Sequence, residues 1–231
     1  MIKGSAKHEV LLVSLAILLA SCGGSTDKNK PENDVSSHAE EATHFYEEAI
    51  QLHAEFTTER DTVLKAIALL DSAILLAPDS TGPYFLKHAY HLRLGEYEQA
   101  LNTLKIIEST KPDNVDLKSS IAVCYLLNNK EDSAQLKLLE ADKLWSMVLD
   151  TITPGNTTDL LHIAMNKGAV HILLGNKPEA EITFNKIRSN PAFQEEQYEG
   201  MMNDIDSLFL NQTQESFYNY LISQIKQNQL P

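Results

Sequence analysis

The feature that most constrains this chain is a pattern that repeats at a fixed step of 34 residues. Four position classes follow that step: Ala66, Ala100 and Ala134; Leu70, Leu104 and Leu138; Ala73, Ile107 and Ala141; Pro78 and Pro112. Within each repeat the first three positions lie four and three residues apart, which places them on one face of a helix. A period of this length is typical of solenoids built from helical hairpins. The sequence therefore predicts an all-α fold, with binding favoured over catalysis.

One repeat, between Gly82 and Pro112, resembles the tetratricopeptide repeat (TPR) family. At the positions that characterise the family it has, in order, Tyr84, Leu94, Gly95, Tyr97, Ala100, Leu104 and Pro112. It departs from the family at His88, where a small residue is preferred, and at Ile107, where alanine is preferred. The resemblance implies a helix-turn-helix TPR solenoid.

The other repeats match the same family pattern less fully. The third carries Ile121, Ala122, Tyr125, Ala134, Leu138 and Ala141, and the fourth carries Leu174, Gly175, Ala180, Phe184 and Ile187. The first, from about Ala42 to Pro78, matches mainly in its second helix. The resemblance thus implies about four repeats over residues 41–191, followed by C-terminal capping helices over residues 192–231.

The repeats contain residues suited to ending helices. Gly95 and Gly175 fall just past the first helix of a repeat, where a left-handed conformation costs glycine little. Asn129 takes the equivalent place in the third repeat, and asparagine is the usual second choice there. Pro78 and Pro112 fall past the second helix, where a missing N–H does no harm. These residues predict where the turns lie.

The N-terminus is typical of an exported protein. Lys3 and Lys7 precede an apolar run over residues 10–20, which is too short to span a bilayer. The run ends in Leu19-Ala20-Ser21-Cys22, which resembles the lipobox of bacterial lipoproteins. Ordinary secretory cleavage and an uncleaved anchor are the alternatives. The resemblance implies a signal peptide over residues 1–21, acylation of Cys22 and attachment to the cell envelope, with Gly23 favouring the outer membrane.

The segment over residues 22–40 is predicted to be a flexible tether, because its polar composition cannot bury enough apolar surface to fold. The 231-residue chain has a net charge of −13, and without residues 1–21 the charge becomes −14. Such a charge argues against nucleic acid and against anionic lipid surfaces as partners.

No pattern in the sequence predicts an enzyme. Neither a Gly-rich phosphate loop, nor a nucleophile elbow, nor an HExxH motif is present. His88 and His91 could share a metal only with a third ligand, so packing histidines are favoured, and no metal or cofactor is expected. Cys124 has no partner if Cys22 is acylated, and we expect a buried thiol rather than a reactive one.

The TPR resemblance also implies a concave surface lined by the first helix of each repeat. Carrying the family's positions over gives a largely apolar strip, the predicted partner-binding groove: Phe85, Ala89, Leu92, Arg93, Ser119, Val123, Leu126, Leu127, Met165, Ile172 and Leu173. Asp116, His162 and Ala169 fall on the same surface. An open apolar strip would be unusual in water, so we expect a protein or peptide partner, or the chain's own tail, to cover it.

Two further segments lie outside the repeat pattern. Phe217, Leu221 and Ile225 lie on one face of a predicted C-terminal helix capped by Thr213; this helix either caps the last repeat, the favoured interpretation, or fills the groove. An insertion of 12 residues between Ala134 and Ala180 holds Trp145, which is predicted to pack in the core or to form an exposed contact edge.

The favoured function is a lipid-anchored scaffold for protein–protein interaction at the bacterial cell envelope. The alternative is an accessory subunit of an outer-membrane assembly or uptake machine. Glycan capture is a third class, but it would need a rim of exposed aromatic residues, which make up only 7% of the chain.

Overall fold

The computed structural model describes residues 36–54, 59–151, 157–194 and 199–230, and these form helices and turns without any strand. The helices are α1 (Ser36–Ala54), α2 (Arg60–Leu76), α3 (Thr81–Arg93), α4 (Tyr97–Glu108), α5 (Val115–Leu127), α6 (Glu131–Thr151), α7 (Thr157–Leu173), α8 (Lys177–Arg188), α9 (Glu199–Ile205) and α10 (Gln214–Gln227). A short 3₁₀ turn (Pro191–Phe193) follows α8, and a π turn (Asp206–Leu210) continues α9. The expectation of an all-α chain is confirmed for these residues.

The described residues group into two compact units. The amino-terminal unit contains α1 to α4 together with residues 225–230, and the carboxy-terminal unit contains Asp113–Gln224. In the amino-terminal unit α1 packs on α2, α2 on α3 and α3 on α4. In the carboxy-terminal unit α5 packs on α6, α6 on α7 and α7 on α8. Each unit is therefore built from helices packed in adjacent pairs, as a helical repeat-like fold requires.

The repeating positions form the core of each pair. All are fully or almost fully buried: Ala66, Leu70 and Ala73 on α2; Ala100, Leu104 and Ile107 on α4; Ala134, Leu138 and Ala141 on α6; Ala180, Phe184 and Ile187 on α8. The alanines let the helices approach closely, and the larger side chains fill the space between them. The periodic pattern thus identified the buried face of four helices correctly.

The turns after the first helices adopt the expected left-handed conformation. Gly95 has φ of +72°, Gly175 has φ of +74° and Asn129 has φ of 56°. At Gly95 the turn closes with two backbone bonds, from the Gly95 N–H to Leu92 and from the Glu96 N–H to His91. The same pair of bonds recurs at the other two turns, which is the Schellman arrangement.

Gly168 has a packing role that the sequence analysis did not anticipate. A Cβ atom added at Gly168 would lie 2.2 Å from a ring carbon of Phe184, which no real contact allows. The absence of a side chain on α7 therefore makes room for the largest residue of the repeating core.

The insertion lengthens α6. This helix has 21 residues, whereas α4 and α8 have 12 each. Trp145 lies on the added part and is 1% exposed. Its indole N–H donates to the Ser119 hydroxyl at 3.1 Å, and its ring meets His162 edge to face. The hypothesis of an exposed tryptophan edge is therefore wrong, because the side chain is enclosed between α5 and α7.

At its N-terminal end the described chain differs from the expected tether. Helix α1 begins at Ser36, inside the segment over residues 22–40 that was predicted to be flexible. The predicted signal peptide and Cys22 lie outside the described residues. Among the helices that are described, none combines the length and the hydropathy needed to cross a membrane.

The C-terminal helix is capped as its sequence indicates. The Ser216 N–H donates to the Thr213 hydroxyl at 3.1 Å, and the Thr213 N–H donates to the Ser216 hydroxyl at 2.8 Å. This is a reciprocal capping box in which serine replaces the usual glutamate. Phe217 stacks on Phe209, which in turn contacts Phe184 of the last pair. These contacts agree with the capping interpretation for the first part of α10.

Candidate partner-binding site

The predicted groove residues are placed on α3, α5 and α7, but they do not form an open strip. Nine of the eleven are buried: Phe85, Leu92, Ser119, Val123, Leu126, Leu127, Met165, Ile172 and Leu173. The other two, Ala89 and Arg93, are half-buried. The strip is therefore not open in the described chain, and its role as a partner-binding groove stays a prediction.

A cavity of about 390 Å³ remains in the carboxy-terminal unit. The ends of α5 and α7, the start of α6 and the start of α10 form its walls. Four leucines, two carboxamides, one tyrosine and three carboxylates line it: Leu126, Leu138, Leu173, Leu174, Gln135, Gln214, Tyr218, Glu131, Asp132 and Glu215. Of the predicted groove residues, the cavity includes Leu126 and Leu173.

Three of the residues that line this cavity are acidic. Glu131 and Asp132 lie in the first turn of α6, and Glu215 lies in the first turn of α10. None of the three carboxylates forms an ion pair within the described chain. A cavity lined by leucines and by unpaired carboxylates suits a ligand that combines apolar groups with hydrogen-bond donors or positive charge.

A polar network joins α5, α6 and α7. His162 Nε2 lies 3.3 Å from Asp116 Oδ1, and the Asn166 amide donates to the His162 carbonyl at 2.9 Å. Both Asp116 and His162 were expected on the concave surface, and the structure brings them together. Because Trp145 also contacts His162 and Ser119, this network positions the helices that carry Leu126 and Leu173.

A second polar cluster joins α6 and α7. His171 Nε2 lies 3.3 Å from Asp142 Oδ1, although their geometry is not that of a hydrogen bond. The Lys167 ammonium donates to the Ser146 hydroxyl at 2.7 Å. Burial lowers the pKa of His171 below its ordinary value, while the Asp142 carboxylate opposes that shift. Desolvation is the larger cause, so burial favours the neutral form of the His171 imidazole.

The other residues weighed for chemistry are packing residues. His88 is buried with Nδ1 3.4 Å from the Ala100 carbonyl, and desolvation lowers its pKa to about 4. His91 lies 2.8 Å from Glu96. Burial raises the pKa of the Cys124 thiol, so it is not a reactive thiolate. Among the described residues no group of three or more metal-binding side chains comes together.

Several lining residues of the cavity were missed from the sequence. Glu131, Asp132 and Gln135 lie on a second helix, and Gln214 and Glu215 lie on the C-terminal helix, whereas the family pattern assigns the groove to first helices. Tyr218 lies on the C-terminal helix next to Phe217. These lining residues share no sequence period that could have identified them, because the cavity arises where four separate elements meet.

Comparison with known proteins identifies no family for this chain. Neither a protein-family model, nor a curated protein, nor a solved structure matches the chain. The class that the fold defines is an all-α chain of paired helices with a repeat-like arrangement.

Proposed function

We propose that this chain is a TPR protein, held at the bacterial cell envelope by a lipid on Cys22, that binds protein partners as a scaffold. The leading support is the recurrence of one core ladder in four helices: a buried small residue, a large apolar residue four later and another buried residue three after that. Stacked units of this kind generate extended binding surfaces, because each hairpin presents its first helix beside the next.

The cavity in the carboxy-terminal unit is the proposed contact point for the partner. Its four leucines supply apolar area, and its three unpaired carboxylates supply negative charge. Charge of one sign around an apolar recess favours partners of the opposite sign and discourages like-charged ones. The proposed partner is therefore a protein segment with exposed apolar and basic side chains.

A site-specific crosslink in intact cells tests this proposal. A photo-reactive amino acid at Gln135, on the cavity wall, is expected to give a crosslinked product of one discrete mass. The same amino acid at Met147, which is 58% exposed on the same helix but away from the lining residues, serves as the control. Equal products at both positions, or none at Gln135, would contradict a specific contact at the cavity.

The lipid anchor is tested separately through Cys22. Changing Cys22 to serine removes the thiol that would be acylated, and each buried CH₂ of an acyl chain contributes about 0.8 kcal/mol to membrane binding. We expect the variant to lose labelling by an alkyne fatty acid and to leave the detergent phase. Cys124→Ser is the matched control, since this buried thiol is not expected to be acylated. A Cys22→Ser variant that labels like the unchanged chain would refute the anchor.

A further inference from the structure

The two glycine turns share a feature beyond their backbone conformation. In a Schellman turn the two closing bonds end on the carbonyls two and three positions before the C-cap residue. The carbonyl of the last helical residue is not used by these bonds. In α3 that residue is Arg93, and in α7 it is Leu173. Each of these carbonyls accepts a bond from the C-terminal part of the chain.

At the turn in the carboxy-terminal unit, the donor is a glutamine side chain. The Gln214 amide donates to the Leu173 carbonyl at 2.7 Å. The same amide lies over Gly175, where an added Cβ would come within 3.1 Å of its oxygen. The glycine therefore provides both the left-handed turn and the space in which the amide lies.

At the turn in the amino-terminal unit, a glutamine again lies over the glycine. An added Cβ on Gly95 would come within 3.4 Å of the Gln229 amide nitrogen, which donates to the Tyr97 hydroxyl at 2.5 Å. The next residue, Leu230, donates its backbone N–H to the Arg93 carbonyl at 2.8 Å.

The Leu230 side chain completes this contact. It packs against the buried cluster of the amino-terminal unit: Ala49, Val63, Ala66, Leu70, Leu86 and Tyr90. The contact therefore combines a glutamine amide, a backbone hydrogen bond and one apolar side chain. In peptide recognition, main-chain hydrogen bonds provide affinity and pockets for side chains provide specificity.

We propose that the turn at Gly95, with the apolar cluster beside it, is a peptide-binding site for segments that present glutamine followed by leucine. In this structure the chain's own Gln229 and Leu230 occupy it. This inference rests on the proposed function, since it assigns the repeats a peptide ligand, and it adds the site and the ligand's chemistry.

The position of this segment makes it exchangeable. Gln229 and Leu230 lie beyond the end of α10, and both are only half-buried. A tethered segment competes with a free peptide at an effective concentration in the millimolar range. The chain's own tail therefore weakens the binding of other peptides at this site until it is displaced.

A peptide of residues 226–231, labelled with fluorescein at its N-terminus, is the probe. We expect the chain lacking Gln229–Pro231 to bind it at least about fivefold more tightly than the full chain, because the competing tail is gone. The peptide with Leu230 changed to serine should bind at least about threefold more weakly, because it loses the buried side chain. Both effects are measured by fluorescence anisotropy, in which the labelled peptide is titrated with increasing amounts of the protein up to the millimolar range.

A matched variant tests the turn at Gly95 itself. Gly95→Asn keeps a residue that tolerates positive φ, as Asn129 shows in the equivalent turn, while adding a side chain where the Gln229 amide lies. In the shortened chain it should weaken peptide binding several-fold without loss of helical circular dichroism. Full-length Leu230→Ser replaces the shortened chain if truncation unfolds the protein, and it should show a smaller gain in peptide affinity, because Gln229 and the backbone N–H of residue 230 still compete.

Two results would overturn the proposal. One is the absence of peptide binding to a folded chain whose tail is removed or weakened. The other is equal binding by the full and shortened chains, which would place the peptide elsewhere. Because the probe is a defined peptide and the chain is purified, this test can fail while crosslinking at Gln135 succeeds, and the reverse is equally distinguishable.

Discussion

Trp145→Ala is expected to lower the free energy of unfolding by about 3–5 kcal/mol, the range for truncating a large buried aromatic residue. The side chain is 1% exposed, and it lies between α5 and α7 within the carboxy-terminal unit. Its removal leaves a cavity beside His162 and takes away the indole N–H that donates to Ser119. Chemical denaturation followed by circular dichroism is the measurement, since Trp145 is the chain's sole tryptophan and its fluorescence disappears with it.

Two further substitutions separate packing from the hydrogen bond. Trp145→Phe keeps most of the apolar contact but removes the donor to Ser119, so its cost should be clearly smaller than that of Trp145→Ala. Met147→Ala changes an exposed residue two positions away on the same helix and should cost less than about 0.5 kcal/mol. Equal effects of Trp145→Ala and Met147→Ala would show that the tryptophan is not enclosed.

The buried face of the repeats was predictable because it depends on spacing within a helix. Ala100 and Leu104 lie one helical turn apart, and the same two positions recur 34 residues later, so the pattern is tested repeatedly within one chain. The turns were predictable for a related reason. Glycine and asparagine are the residues that adopt positive φ most readily, and the structure places Gly95 and Asn129 in that region.

The candidate sites were less predictable because they depend on how separate elements meet. Leu126 and Leu173 were assigned to the concave strip, and the structure shows both buried beside a cavity that residues of the C-terminal helix also line, which the family pattern does not describe. The start of α1 was missed for a different reason. The polar composition before His38 indicates disorder, but a helix needs only a modest apolar face once it packs on a partner such as α2.

The position of the chain's end is the clearest case of this limit. The helix-spaced residues of α10 predicted a cap on the last pair, and Phe217 does contact Phe209 there. Gln229 and Leu230 have no periodic pattern, and their contacts at Tyr97 and Arg93 involve residues more than 130 positions earlier in sequence. Capping of the last pair is therefore only part of what the C-terminal segment does.

Leu104→Ala is expected to cost about 2–5 kcal/mol, because it deletes a fully buried leucine from the centre of the repeating core. Ala100→Leu, one turn earlier on the same face, should cost about 1–3 kcal/mol for the opposite reason, since a larger side chain must be accommodated where two helices approach closely. The control is Ile106→Ala on the same helix, where the side chain is 60% exposed and the loss should stay below about 0.5 kcal/mol.

The order of these three effects tests the register of the repeat as well as its stability. A helix rotated by one residue would exchange the burial of neighbouring positions, so Ile106 would become sensitive and Leu104 tolerant. Denaturation curves for the three variants give the ranking directly, provided that the free energy of unfolding falls with denaturant concentration at the same slope in all three. The free energies of unfolding of Leu104→Ala and Ala100→Leu could both lie within about 0.5 kcal/mol of that of the unchanged chain. That result would place the repeating positions on the surface and remove the main support for a TPR solenoid.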